Sequence, residues 1–152
     1  MRRALYPGSF DPITNGHLDI IRRVAAIYEQ VTVSVVANVN KKCRFSIEER
    51  VDTIHEVTAD LDNVHVDSYG GLLADYYRRE KFTVLVRGLR TASDFERELQ
   101  MAQMNYSLAD VETIFMMTDP KYGFSSSLVK EIGDSGGDVS HLIPAWCPSR
   151  VD

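Results

Sequence analysis

The sequence has few cysteines and no long apolar run. Among its 152 residues the only cysteines are Cys43 and Cys147. They form no CxxC pair, which excludes a dithiol redox motif and a four-cysteine zinc site. No segment approaches the roughly 20 apolar residues of a membrane-spanning helix, and the first residues contain neither a signal-peptide core nor a transit peptide. We therefore expect a cytoplasmic protein without a membrane partner.

A basic excess and two common phosphate-binding signatures are also missing. The formal net charge is −5, whereas a dedicated nucleic-acid-binding protein usually carries a surplus of lysine and arginine, so we expect no nucleic-acid partner. Neither G-x-x-x-x-G-K-[ST] nor G-x-G-x-x-G after a strand occurs, which excludes P-loop kinases and the usual dinucleotide-binding proteins. Two local basic clusters, Lys41 with Lys42 and Arg44, and Arg87 with Arg90, still fit a small anionic substrate.

What is present is an alternation of short apolar runs and amphipathic stretches. The length suits one domain, and β-branched runs such as "VTVSVVA" alternate with helical periodicity. Ser46 with Glu49, and Ser93 with Glu96, have the spacing of helix-capping boxes. The predicted strands are 3–6, 31–37, 64–66, 83–86 and 113–117, and the predicted helices are 16–28, one that opens with "FSIEER", 72–80, 93–108 and 127–132.

This order predicts an α/β fold, a single doubly wound parallel five-stranded sheet with helices on both faces. We expect one domain over 1–152, with 136–152 as an irregular C-terminal docking segment. Ligands of such sheets bind outside the carboxyl ends of the strands. The segments expected there are rich in glycine, serine and basic residues, which favours a phosphorylated ligand; they are 8–10, 38–42, 87–90 and 121–127.

Four motifs then point to one family. "YPGSFDPITNGH" contains T-N-G-H, Thr14 to His17, and is followed in order by "NKK", "VRGLRTASDFERELQMAQMN" and "FSSSLVKE". Together they resemble the bacterial phosphopantetheine adenylyltransferases of the nucleotidylyltransferase superfamily, over nearly the whole chain to about Pro144. The resemblance implies a Rossmann-like nucleotidylyltransferase fold. It also implies adenylyl transfer from ATP to 4′-phosphopantetheine, giving dephospho-coenzyme A and pyrophosphate in the penultimate step of coenzyme A biosynthesis.

The resemblance also assigns residues, a metal and an assembly. It implies catalytic roles for His17, Lys41, Ser9 and Arg90, a Mg²⁺ ion held mainly by phosphates and water, and a homohexamer. The implied phosphopantetheine-binding residues are Ser9, Lys41, Leu73 and Arg87. The implied ATP-binding residues are Ser9, Phe10, His17, Gly88, Leu89, Arg90, Glu98, Tyr122, Gly123, Phe124, Ser125, Ser126 and Ser127.

Several alternatives stay open from the residues alone. Arg87 and Arg90 can pair with Asp94 or Glu98 instead of a ligand, and Ser125 to Ser127 can form an ordinary helix N-cap. Lys42 competes with Lys41 for the role of the family lysine. The acceptor can instead be glycerol 3-phosphate or nicotinamide mononucleotide. A nucleotide- or coenzyme A-binding module without turnover is the third reading, because "YGFSSS" is one residue shorter than the relatives' loop. Separately, Arg97 replaces an aromatic residue that many relatives have on one side of the ATP pocket.

Overall fold

The computed structural model describes residues 1–37 and 42–144. Its elements alternate as the sequence predicts, strand then helix, with a short 3-10 helix before the last α-helix. The strands are β1 (Arg3–Gly8), β2 (Gln30–Val36), β3 (Val64–Tyr69), β4 (Val84–Leu89) and β5 (Thr113–Met117). The helices are α1 (Asn15–Ala25), α2 (Ile47–Val57), α3 (Leu73–Arg79), α4 (Ala92–Ala109), the 3-10 helix Pro120–Tyr122 and α5 (Ser126–Asp134).

The five strands form one parallel sheet in the order β3-β2-β1-β4-β5. Side chains of a strand alternate between the two faces. Ala4 and Tyr6 of β1 accordingly belong to a core cluster that includes residues of α1 and α2, whereas Leu5 packs in a second cluster with α3. Helices therefore cover both faces, which confirms the doubly wound α/β fold.

The strand order places a crevice between β1 and β4. The chain proceeds from β1 outward to β3 and then returns to β4, on the other side of β1. Neighbouring loops at this switch point leave the sheet in opposite directions, which opens a space above the carboxyl ends of the two strands. The loops after β1 and β4 are therefore the ones that the topology brings to a common ligand site.

One predicted capping box is confirmed and the other is wrong. The Ser46 side chain accepts from the backbone N–H of Glu49 at 3.1 Å and begins α2. Helix α4, by contrast, begins earlier than Ser93 predicts. Its N-cap is Thr91, whose extended backbone ends the preceding loop and whose hydroxyl accepts from Asp94 N at 3.1 Å. Ser93 already lies inside the first turn, so its hydroxyl cannot act as the N-cap.

Two predicted loop segments are strand ends. Gly8 is the last residue of β1, and residues 87–89, which were expected after the fourth strand, are the last three of β4. Strand β4 is longer than predicted because its pairing with β5 continues to Leu89, which lies opposite Met117. Only Arg90 of this basic cluster lies beyond the strand.

The expected docking segment is described up to residue 144. Its described part is irregular, and Val139 and Ile143 pack against Val129 of α5. Backbone N–H of Asn15 also donates to Leu142 O at 3.2 Å, which ties this segment to the start of α1. Residues 145–152 lie outside the described chain. Within the described ranges, no helix has the length and apolar character needed to cross a membrane.

Candidate active site

A cavity of about 620 Å³ lies above the carboxyl ends of β1 and β4. Six segments line it: the end of β1 with the loop after it, the start of α1, the end of β4 with Arg90, residues 94–101 of α4, Thr118 after β5, and the 3-10 helix with the N-terminus of α5. The cavity therefore occupies the switch point of the sheet, where the fold predicts a ligand.

His17 lies in the first turn of α1 and faces this cavity. The backbone N–H of Thr14 donates to His17 Nδ1 at 3.0 Å, and His17 N–H donates to Thr14 Oγ1 at 3.3 Å, which completes a reciprocal capping box. A ring nitrogen that accepts a hydrogen bond carries no proton, so the proton of the neutral ring is on Nε2. Capping thus makes Nε2–H a fixed donor for a ligand in the cavity.

The ring of His17 packs against the ring of Phe10. The two rings meet edge to face with centroids 5.0 Å apart, and Tyr6 supports Phe10 from the other side at 5.4 Å. Phe10 is 3 % exposed and has φ of 47°, a left-handed conformation that is uncommon for a bulky residue. A side chain on Gly8 would place its Cβ 3.0 Å from the Phe10 ring. The loop is therefore packed to orient the histidine.

Burial and two nearby arginines keep His17 uncharged. Loss of hydration, followed by the positive charges of Arg90 and Arg87, lowers the pKa of His17 from 6.5 to about 4. The imidazole is consequently neutral at physiological pH. It can donate one hydrogen bond through Nε2 without the extra cost of holding a buried cation.

Arg87 is held in place by a bidentate ion pair. Its Nε and Nη2 donate to the two carboxylate oxygens of Glu98 at 2.8 and 2.7 Å, and its Nη1 donates to Pro7 O at 2.9 Å. These bonds use three of the five guanidinium N–H groups. Two N–H groups remain without a partner in the described part of the chain, and the residue lines the cavity.

A second, looser cluster forms the α4 side of the cavity. The Asp94 carboxylate accepts from Arg90 Nε at 3.2 Å and from Arg97 Nη2 at 3.2 Å. The Arg97 side chain is 80 % exposed, so its pairing is weak and solvent-screened. The arginine pairs that the sequence left open therefore exist, but they leave Arg87, Arg90 and Arg97 on the cavity wall.

The N-terminus of α5 forms another part of the cavity wall. Ser125 is its N-cap and accepts from Leu128 N at 3.1 Å, while the Ser126 hydroxyl donates to Pro12 O at 2.8 Å. Ser125, Ser126 and Ser127 all line the cavity. Capping and anion binding are compatible here, because other backbone N–H groups of the first turn still point out of the helix.

Comparisons with known proteins agree with this geometry. Residues 5–132 match the cytidylyltransferase-like family model. A phosphopantetheine adenylyltransferase of Streptomyces coelicolor is 57 % identical over 145 residues, which span 95 % of this chain and 91 % of the relative. The chain belongs to the phosphopantetheine adenylyltransferase family. The relative named so from Clostridium novyi is 53 % identical, with 95 % of this chain and 91 % of the relative covered.

A solved structure shows the same fold at much lower sequence identity. It is assigned as a nicotinate-nucleotide adenylyltransferase of Vibrio parahaemolyticus and superposes with a TM-score of 0.68, covering 99 % of both chains at 15 % identity. At this identity the likeness concerns the fold alone. The common architecture agrees with a Rossmann-like nucleotidylyltransferase sheet.

Most residues that this family resemblance selects converge on the cavity. The described residues that line it include Ser9, Phe10, His17, Arg87, Gly88, Arg90, Glu98, Tyr122, Phe124, Ser125, Ser126 and Ser127. Leu73, Leu89 and Gly123 are not among the described lining residues, and Lys41 lies outside the described chain. Ligand binding stays a prediction for all of the residues that the resemblance selects.

The cavity also contains residues that sequence reasoning did not select. Tyr6, Thr14 and Thr118 lie on its wall, and so does Asp94, which was considered only as a partner for arginine. Thr14 was readable from the sequence, since it precedes a helix and stands three residues before His17, the spacing of a capping pair. Tyr6 and Thr118 give no such signal, because only the sheet register brings them to the site.

Gly16 lets two segments of the site approach each other closely. In the structure, a Cβ on Gly16 would lie 2.9 Å from the backbone oxygen of Tyr122. The missing side chain therefore allows the first turn of α1 to approach the 3-10 helix closely, which brings His17 and the α5 serines to the same cavity.

The protonation state of His17 is directly measurable. In the free protein we expect ¹⁵N NMR to show the Nε2–H tautomer and a titration midpoint near pH 4. The unfolded chain binds this proton near pH 6.5, whereas the folded protein binds it only near pH 4. The free energy of unfolding should therefore decrease progressively as the pH falls from about 6.5 to about 4. A midpoint near 6.5, or an Nδ1–H tautomer, would contradict the role of the capping box.

Proposed function

We propose that the protein transfers the adenylyl group of ATP to 4′-phosphopantetheine, giving dephospho-coenzyme A and pyrophosphate. The observation that carries this is the fixed Nε2–H donor of His17 in a cavity lined by three arginines and a serine-rich helix N-terminus. The phosphate of the acceptor would attack the α-phosphate in line, while pyrophosphate leaves toward α5.

The reaction needs positioning and charge neutralisation rather than a base. A phosphate monoester has a second pKa of about 6 and is largely dianionic at neutral pH, so the nucleophile is already deprotonated. The two cavity carboxylates, Asp94 and Glu98, are engaged by arginines. Donors aimed at the charge that develops on the α-phosphate would therefore supply most of the rate enhancement.

The residues divide into three groups around the reactants, and Leu73 would contact its substrate through the backbone. His17 would stabilise the α-phosphate, and Ser9 and Lys41 would hold the attacking phosphate close to it. Arg87 and Leu73 would contact the pantetheine substrate. The remaining ATP contacts would come from Phe10, Gly88, Leu89, Arg90, Glu98, Tyr122, Gly123 and Phe124, with Ser125, Ser126 and Ser127 donating to the β- and γ-phosphates through a favourable helix terminus.

Mg²⁺ would enter with the nucleotide. Among the described residues no cluster of three histidine, cysteine or acidic side chains is arranged to hold a metal, and the cavity carboxylates are paired with arginines. This donor set fits an ion whose ligands are mainly phosphate oxygens and water. When bound, the ion would neutralise part of the triphosphate charge.

We further propose a cytoplasmic, single-domain subunit that assembles into a homohexamer. Helix α4 leaves large apolar side chains exposed, and Met101, Met104 and Leu108, which are 56, 57 and 48 % exposed, share one face through their i, i+3 and i+7 spacing. An apolar helix face of this kind suits a subunit contact. Sedimentation equilibrium should give six chains per particle, and a monomer at micromolar concentration would contradict the assembly.

The function is tested by pyrophosphate release. Wild-type protein is incubated with ATP and Mg²⁺ and with 4′-phosphopantetheine, glycerol 3-phosphate or nicotinamide mononucleotide in parallel. Release only with 4′-phosphopantetheine is the expected result. Release with another acceptor would show that the acceptor is not, or not only, 4′-phosphopantetheine. Calorimetric binding of ATP and phosphopantetheine without any product would identify a binding module instead.

A further inference from the structure

A buried carboxylate lies behind the cavity wall. Asp11 is 1 % exposed and follows Phe10 in the loop that leads to α1. It is not among the described residues that line the cavity. A carboxylate taken out of water at this depth is costly unless it is paired and hydrogen-bonded. Its partners therefore define what it does.

The partners of Asp11 come from two distant segments. Its Oδ2 accepts from Arg44 N at 2.7 Å and from Lys130 Nζ at 3.0 Å, and its Oδ1 accepts from Phe45 N at 2.8 Å. Burial alone would raise the pKa of Asp11, but the two backbone N–H groups and Lys130 outweigh it and hold the pKa below its ordinary value. The group is therefore an anion that joins three stretches of chain.

The bond to Lys130 is one of two polar contacts that join α5 to the loop before α1. Lys130 is one helical turn after Ser126, whose hydroxyl donates to Pro12 O at 2.8 Å. Helix α5 is thus tied at successive turns to successive residues, Asp11 and Pro12, of the loop before α1. The same loop leads directly into the capping box that orients His17.

These contacts connect two parts of the cavity wall, and the Asp11–Lys130 bond does so through residues that are not among the described lining residues. One part holds His17, the donor proposed for the α-phosphate, and the other holds the α5 serines proposed for the β- and γ-phosphates. A rotation or slide of α5 would change the distance between the two sets of donors. In-line transfer is sensitive to such shifts, because a misplacement of about 1 Å can reduce the rate by about 100-fold.

We propose that the buried Asp11–Lys130 ion pair is a positioning element, which holds the serine-rich N-terminus of α5 in register with His17. This inference rests on the proposed adenylyl transfer. Asp11 and Lys130 act through the groups that they place, and neither touches a reactant. The backbone N–H groups of residues 44 and 45, which follow the predicted Lys41 in the sequence, bind the same carboxylate.

The competing role for Lys130 is direct phosphate binding. Its side chain is 20 % exposed, and like Asp11 it is not among the described lining residues. The two roles differ in how the enzyme responds to changes at Asp11. If Lys130 binds phosphate directly, removing the Asp11 charge frees the lysine and strengthens ATP binding. If the pair positions α5, the same change weakens catalysis.

The experiment compares Lys130→Met, Asp11→Asn and the double variant. For each, kcat, the KM for ATP, the KM for the acceptor and Tm are measured well below the unfolding temperature. We expect each single change to lower kcat by about 10- to 100-fold, with the acceptor KM within about twofold of wild type. The double variant should be no slower than the slower single variant, because both changes remove one element.

Two further variants separate positioning from stability. Lys130→Arg keeps the charge and should recover a large part of kcat. Arg22→Met removes the exposed Arg22–Asp60 pair, which joins α1 to the segment after α2 outside the cavity, and should leave kcat within about twofold of wild type. If Asp11→Asn does not fold, Lys130→Met and Lys130→Arg decide the question.

Three results would overturn the proposal. A lower Tm of Lys130→Met with unchanged kcat would show a purely structural pair. Tighter ATP binding by Asp11→Asn together with weaker binding by Lys130→Met would make Lys130 a phosphate ligand. Additive losses in the double variant would show two independent roles. If the wild-type protein releases no pyrophosphate with any acceptor, the adenylyl transfer itself is refuted. The ATP affinity of the same variants, measured by calorimetry, would then test the ion pair, and an unchanged affinity would count against it.

Discussion

His17→Ala is expected to lower kcat by about 10²- to 10³-fold, the loss typical of removing one transition-state donor. The ring is neutral, its Nδ1 accepts from Thr14 N–H, which leaves Nε2–H as the ring donor, and His17 lines the cavity. Its contribution is therefore one preoriented hydrogen bond to charge that develops on the α-phosphate. Initial rates of pyrophosphate release with saturating ATP, Mg²⁺ and phosphopantetheine measure the effect.

His17→Gln is the matched control for the fold. Glutamine at this position can still close a capping box with Thr14, but it cannot place a donor where the imidazole Nε2–H lies. We expect His17→Gln to be about as slow as His17→Ala while keeping the Tm of wild type. His17→Ala should lose about 1 kcal/mol of stability, because the N–H of Thr14 loses its acceptor. Near wild-type turnover in either variant would refute the role of the histidine.

Arg87→Met is expected to raise the KM for the acceptor by about 10- to 100-fold. The reason is the loss of charge-assisted hydrogen bonds, each worth about 1.5–3 kcal/mol. The change also leaves the Glu98 carboxylate, whose side chain is only 20 % exposed, without its partner. We expect a stability loss of about 2 kcal/mol, below the value for a fully buried pair because a third of the Arg87 side chain is exposed.

A double variant, Arg87→Met with Glu98→Gln, separates these two effects. Removing the orphaned charge should restore most of the Tm, while the KM for the acceptor stays high. Urea titration and steady-state kinetics at 25 °C supply the two readouts. If the double variant recovers the wild-type KM, Arg87 has only a structural role, which is the alternative that the sequence left open. An effect on the KM for ATP that appears only with Glu98→Gln would support the predicted contact of Glu98 with ATP.

The sequence determined the class of fold and the chemistry of most cavity residues. Alternating β-branched runs and amphipathic stretches are local signals, so the five strands and five α-helices were predictable in type and order. Their ends were less so: β4 continues through Leu89 because β5 pairs with it, and α4 begins at the Thr91 cap instead of near Ser93. The motif "TNGH" likewise predicts His17 at a helix start, because the pattern itself is local.

Only the tertiary structure decided how these residues act. The tautomer of His17 depends on the backbone conformation at Thr14, and the aim of Arg87 depends on Glu98 and Pro7, which lie on α4 and β1. Asp11 and Lys130 are 119 residues apart. Such pairs form only after the crossovers bring the carboxyl ends of β1 and β4 close to helix α5. Local periodicity is a property of short segments, whereas charge pairing and donor orientation depend on distances between segments that the whole fold sets.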